Sequence, residues 1–201
     1  MALLDMFRQI RDTHGLAEFI DDEAEGVGRD VVEDYLRGRA GAAARELFAA
    51  PKFLAARDQA QHEAYPIALA AITALIAGEL APTVPRIPPD LACGLTGLVT
   101  ALFDSRMPLL APAAWSKARA DLVHGLDALA FEHPKRAVAI AAEFAPSFLA
   151  LMPIHDRLSA DDFPALRKQV EIALDDVRGA FVRRASTRRV LAALSSAANV
   201  S

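Results

Sequence analysis

The stretch AYPIALAAITALIAG, residues 64–78, carries no charged side chain, and neither does LACGLTGLVTALF, residues 91–103. Between Gln59 and Ser116 the only charges are Glu63, Glu79, Arg86, Asp90, Asp104 and Arg106, in a chain that is 24% charged overall. Apolar surface of that extent is unfavourable in water, so it must face a core, a partner or lipid. A membrane-spanning helix needs about 20 predominantly apolar residues, and these segments have 15 and 13. A third, Ala137–Ile154, is longer but is interrupted by Glu143 and Pro146. Alanine, abundant in all three, also contributes little to partitioning into lipid. Buried core helices are therefore expected, and no transmembrane segment.

Working outward, the 201 residues fit one domain with a core large enough to need no staples. Hydrophobic residues reach 53%, much of it Ala and Leu, while aromatics are only 6%. Ala and Leu are strong helix formers, and long Val/Ile/Thr runs are absent, so the expected class is all-α. The expected architecture is a single-domain orthogonal or irregular helical bundle of about eight or nine helices spanning 1–201. Acidic N-terminal helices fill 1–40, a core bundle fills 42–184 with a Pro-rich connector at 81–89, and a basic helix with a frayed tail fills 185–201. The lone Cys93 excludes an intramolecular disulfide and an all-cysteine metal cluster, and its apolar neighbours suggest a buried small hydrophobe. Met1-Ala2-Leu3-Leu4-Asp5 lacks the basic start and apolar core of a signal peptide, so a cytoplasmic, reduced setting is expected.

Local signals place the elements. Leu3, Leu4, Phe7 and Ile10 repeat at helical spacing toward Gly15, and an acidic helix follows over about 16–25. Gly26-Val27-Gly28 suggests a turn, Asp30 a cap for a helix to about Arg37, and Gly38 and Gly41 a break. Pro51 suits a helix start, and Pro66 predicts a kink or a new helix over 66–80. Four prolines within 81–89 require an extended connector. Helices are expected at 89–103, at 113–131 with a Trp115, Ala118, Leu122, Leu126, Leu129 stripe, and at 135–151 with a kink at Pro146. After Ser159-Ala160-Asp161-Asp162 comes the best amphipath: Phe163, Leu166, Val170, Ala173, Leu174, Val177 and Phe181. A short last helix covers about 187–196.

The net charge of −4 argues against a general nucleic-acid binder, and its distribution is more telling. Asp12 to Asp34 holds nine acids against one base, Arg29, whereas Val177 to Ser201 holds five arginines and no acid. The two ends are complementary, so Arg183, Arg184, Arg188 and Arg189 on one side and Asp21, Asp22 and Glu23 on the other are the expected interaction surfaces, within one chain or between two. Homo-oligomerisation is expected on this basis. Val190, Leu191 and Leu194 interleave with the arginines, which gives peripheral membrane contact some physical support. A solvating tail is the preferred reading there.

Sites for chemistry are sparse. Asp21-Asp22-Glu23-Ala24-Glu25-Gly26 imitates the start of a calcium loop, but position twelve is Val32 rather than a bidentate glutamate. His62-Glu63-Ala64-Tyr65 opens like a zinc-binding HExxH and fails at Pro66. No nucleophile elbow or phosphate loop occurs, and neither a metal site nor a cofactor is expected. Gly94 and Gly97, three apart on an apolar helix, suggest close helix–helix contact. Glu79 and Glu143 sit in largely apolar helices, where burial would raise a carboxyl pKa and suit a ligand contact or base. These two and Trp115 are the ligand-binding candidates.

Two segments resemble known families. Leu3-Leu4-Asp5…Gly15, the acidic helix after it, Gly26-Val27-Gly28-Arg29 and Val32…Tyr35-Leu36 distantly resemble the N-terminal helix-turn-helix of TetR-type regulators. That resemblance implies an all-α fold with a ligand pocket and a C-terminal dimer bundle. Gly28 replaces the turn serine, and Glu33-Asp34 stand where DNA-facing residues belong and would repel phosphate. Arg11-Asp12-Thr13-His14…Glu18 is similar to the proximal-histidine helix of haem oxygenases, with Gly94…Gly97 as the distal counterpart, though the spacing is short and Gly15 interrupts it. Neither family is adopted. The expected function is a non-enzymatic helical binding or interaction protein with a small apolar ligand pocket or a homodimer face, because proline-kinked helices cannot pack flush along their length. The alternatives are a TetR-like ligand-responsive regulator and a haem- or acid/base-dependent enzyme using His14 or Glu143.

Overall fold

The computed structural model of the chain describes residues 9–81, 89–106, 111–127, 136–153 and 160–198. Among them, seven helices longer than a single turn carry the fold: α1 Thr13–Ala40, α2 Pro51–Leu80, α3 Pro89–Ser105, α4 Pro112–Asp127, α5 Ala137–Leu151, α6 Phe163–Arg184 and α7 Thr187–Ala198. Single turns occur at Gly41–Ala43, Ala44–Leu47 and Ala160–Asp162. The all-α expectation holds, with seven helices in place of eight or nine. Residues 82–88 of the Pro-rich connector, the Leu3/Leu4/Phe7 repeat and Leu129 lie outside the described residues.

The count falls chiefly because α1 is one helix where the sequence suggested breaks. Ile10, expected in a first helix, is extended and bridges α6 to α7. Its N–H donates to the Arg184 carbonyl and its carbonyl accepts from the Ser186 N–H, both at 2.9 Å. The extended Asp12 then caps α1, its carboxylate accepting from the Gly15 N–H at 2.8 Å. Gly15 therefore belongs to a helix start, not a stop. Asp30 caps nothing; it is exposed on α1 beside Arg29.

Gly26-Val27-Gly28 is helical, not a turn, and the reason at Gly28 lies in another helix. A Cβ there would sit 3.3 Å from the Ala64 carbonyl carbon and 3.3 Å from the Tyr65 nitrogen. Glycine thus lets the backbones of α1 and α2 approach where the helices cross. Its poor helix propensity, about 1 kcal/mol against alanine, is offset by the burial of Ala24, Val27, Val31, Val32 and Tyr35 on the same helix. The helix ends at Gly41, whose φ of 51° suits glycine best.

α2 starts at Pro51 and continues through Pro66 as one 30-residue helix, rather than restarting there. It packs against α1, α3, α4, α5 and α6 and is the hub of the core. Leu69, Ile72, Leu75 and Ile76 are all at or below 2% exposure, and each such burial stabilises by roughly 1.5–3 kcal/mol. α2 is the one described helix long and apolar enough to cross a membrane, but 78% of its apolar window is buried inside the protein, as in a core helix.

α3 buries Leu95, Val99 and Phe103, spaced at i, i+4 and i+8. Cys93 falls on the opposite side and is exposed, not the buried small hydrophobe expected. Gly94 meets α7 closely: a Cβ there would lie 2.9 Å from the Leu194 carbonyl oxygen, whereas Gly97 faces open space. α7 buries Val190 and Leu194 completely. The basic segment is thus a docked helix rather than a solvating tail, and two of the three apolar side chains needed for membrane contact are already committed. α6 buries Leu166, Val170, Leu174, Val177 and Phe181, as its periodicity required. The Asp162 carboxylate at its start accepts from the Tyr35 hydroxyl at 2.8 Å and pairs with Arg39 at 3.0 Å, fixing the C-terminal half of α1.

Candidate functional site

A groove of about 540 Å³ opens between α2, α4 and α5. Its walls are Glu63, Pro66, Ile67 and Ala70 from α2, Ala114, Lys117, Ala118, Asp121, Leu122 and Gly125 from α4, and Phe144, Ser147, Ala150 and Leu151 from α5. The size lies within the range of small-molecule sites, which are mostly apolar with a few polar groups. The groove sits at the internal prolines: Pro66 lines it, and Ser147 follows Pro146. Ala70, Ala114, Ala118, Gly125, Ser147 and Ala150 put small side chains on the facing surfaces and leave space that larger residues would have filled.

α4 is held in place by contacts with the end of α3. Trp115 stacks on Phe103 with ring centroids 4.3 Å apart. Arg119 forms a two-pronged pair with Asp104 at 2.6 and 2.7 Å. The guanidinium beside Asp104 holds its carboxyl below the usual range. Beyond Phe103 the brace continues into α1 and α2. The Tyr65 hydroxyl donates to Asp21 at 2.6 Å, and Arg106 donates to Asp21 and Glu25 at 2.9 Å each. The Arg106 guanidinium also lies 4.2 Å from the Tyr65 ring centre. Burial, followed by the bond to Asp21, pushes the Tyr65 hydroxyl well above its ordinary pKa. For Arg106 burial acts downward, but the hydrogen bonds to Asp21 and Glu25 outweigh it and leave the guanidinium still more firmly charged.

The charged groups at the groove come from α2 and α4, and α5 adds the Ser147 hydroxyl. Lys117 is paired with Asp121 one turn along. Glu63 is half-buried and accepts from the Gln59 side chain at 2.9 Å. Pro66 has no N–H, so the His62 carbonyl cannot receive the helical bond that residue 66 would ordinarily give. His62 itself does not line the groove.

The candidates named from sequence lie elsewhere. Glu79 pairs with Arg178 at 2.6 Å across to α6. Glu143 is exposed, so the desolvation argument that singled it out does not apply. Trp115 braces α4 without lining the groove. His14 stands in the first turn of α1, is 77% exposed and faces Glu18 at 3.3 Å. Of the complementary ends, Arg184 comes to the acidic helix of its own chain, 5.2 Å from the Phe19 ring centre and beside Glu23. Arg183, Arg188 and Arg189 are exposed, as is Asp22, while Asp21 is taken by Tyr65 and Arg106. Sequence reasoning missed Glu63 as a site residue, although it was visible as a charge beside an intrahelical proline.

The fold and groove define an all-helical protein with an open apolar cleft between its central helix and two flanking ones. Comparison with known protein families, with characterised proteins and with solved structures finds no match.

Proposed function

We propose that this chain is a non-enzymatic helical binding protein that holds a small, largely apolar ligand between α2, α4 and α5. The observation that carries the reading is the groove of 540 Å³, with apolar walls from three helices and few polar groups. The helix-turn-helix alternative loses its element, because residues 13–40 form one continuous helix. The haem alternative places His14 on an exposed first turn, while Gly94 is closed over by Leu194.

The test uses N-phenyl-1-naphthylamine, a neutral apolar fluorophore. Saturable enhancement is expected with the natural chain and its loss with Ala150→Trp, which fills the groove from an exposed position. Unchanged enhancement in a folded Ala150→Trp protein would reject the groove as the site. A second reading, a homodimer face, is favoured by Val138, 48% exposed on the nearly uncharged α5. Sedimentation that shows a monomer at all concentrations would exclude it.

A further inference from the structure

We propose that the groove selects an amphipathic ligand with a cationic amine head, an inference that rests on the groove being the binding site. The argument is electrostatic complementarity at the polar edge. Two carboxylates, Glu63 and Asp121, line the groove against one ammonium, Lys117, which Asp121 already engages. Glu63 receives a hydrogen bond from the neutral Gln59 amide and, among the described residues, has no cation within ion-pair distance. A carboxylate without a cation is an acceptor on the groove wall, and an alkylammonium offers up to three donors and a positive charge. A fatty carboxylate would bring a third negative charge to a groove that already holds two against one ammonium, and would supply no donor. An alcohol would supply one donor without charge. Behind the edge, Ile67, Ala70, Leu122 and Phe144 offer an apolar wall for the chain.

Calorimetric titration of the intact chain with decylamine, decanol and decanoate separates head from tail, since all three share one chain length. The expected order is decylamine tightest, then decanol, then decanoate. Added salt should weaken decylamine binding and leave decanol binding unchanged. Glu63→Gln should reduce the preference for decylamine over decanol by about fivefold, the scale of a half-buried charge-assisted contact. Decanol affinity serves as the control for an intact groove in that variant. Decanoate binding as tightly as decylamine, or an amine preference that survives Glu63→Gln, would overturn the inference while leaving the groove reading standing. Absence of saturable binding for all three, or binding unaffected by Ala150→Trp, would overturn the groove reading and the inference with it.

Discussion

Replacing Gly26 with alanine and, in a separate protein, Gly28 with alanine should move stability in opposite directions. Both positions are interior to α1. Each therefore gains the same intrinsic helix propensity, about 0.8–1 kcal/mol. At Gly26 nothing lies within 4 Å of the new methyl, so that gain is realised in full. For a chain of this length it corresponds to a rise of roughly 2–4 °C in Tm. At Gly28 the methyl meets the backbone of Ala64 and Tyr65 at 3.3 Å, and backbone cannot rotate away as a side-chain end would. Overpacking of this kind costs about 1–3 kcal/mol. The net change at Gly28 is then a loss of up to roughly 2 kcal/mol, and the two variants differ by about 1–3 kcal/mol. Urea denaturation followed by far-UV circular dichroism measures both, with an unchanged m-value showing that the native and unfolded states are otherwise comparable. Gly38→Ala, also open within 4 Å, should behave like Gly26→Ala. A Gly28→Ala protein stabilised as much as Gly26→Ala would refute the close crossing of α1 and α2.

Gly94→Ala forces a methyl toward the Leu194 carbonyl oxygen at 2.9 Å, so α7 should lift from α3; faster hydrogen exchange confined to 187–198 would show it, and unchanged protection would count against the packing. Tyr65→Phe removes the hydroxyl bond to Asp21 while keeping the ring under Arg106. In denaturant melts that loss should cost about 1 kcal/mol, the usual net worth of one hydrogen bond. Burial raises the Glu23 carboxyl above 4.5, with Arg184 opposing and Asp22 and Asp176 adding to the rise. The folded protein therefore holds that proton more tightly than the unfolded chain, and ionised Glu23 costs stability above the raised value. Glu23→Gln should thus raise Tm at neutral pH, with the gain shrinking as pH falls toward 4.5 and below; a gain that is the same at every pH would refute the shift.

Much of the fold was legible because its signals are local. Pro51 at a helix start, the amphipathic stripe of α6 and the charge-free 64–78 each announce themselves within a few residues. What escaped depends on partners far along the chain. Gly28 is readable as a crossing point only once Ala64 and Tyr65 are placed against it. Glu79 looked like an isolated acid in an apolar helix because its partner, Arg178, lies 99 residues away. The C-terminal arginines drew attention to charge, while Val190 and Leu194 just after them were the residues that fixed the segment. The groove itself left little trace, since Ala70, Ala118 and Ala150 give the same letters whether they line a space or fill one.

The missing charge in the middle of the chain has two physical meanings. In α2 it reflects burial on nearly every side: from Ala64 to Ala77 only Ile67 is more than slightly exposed. In α5 it does not, for Val138, Ala139, Ala142, Pro146 and Ala150 are exposed on a helix with a single acid. A helix can tolerate this when its outer face is mostly alanine, because an exposed methyl presents little apolar area to water. Hydropathy averages the two helices together, and only their surroundings separate them. α2 is apolar because the core needs it to be. The outward face of α5 has no such requirement, and at its edge with α2 and α4 only Ala150 of these exposed residues lines the groove, beside Phe144, Ser147 and Leu151, so α5 adds no charge to that wall. Charge then enters only through the neighbouring helices, at Glu63, Lys117 and Asp121, which is why the head of a bound ligand, rather than its tail, should decide selectivity.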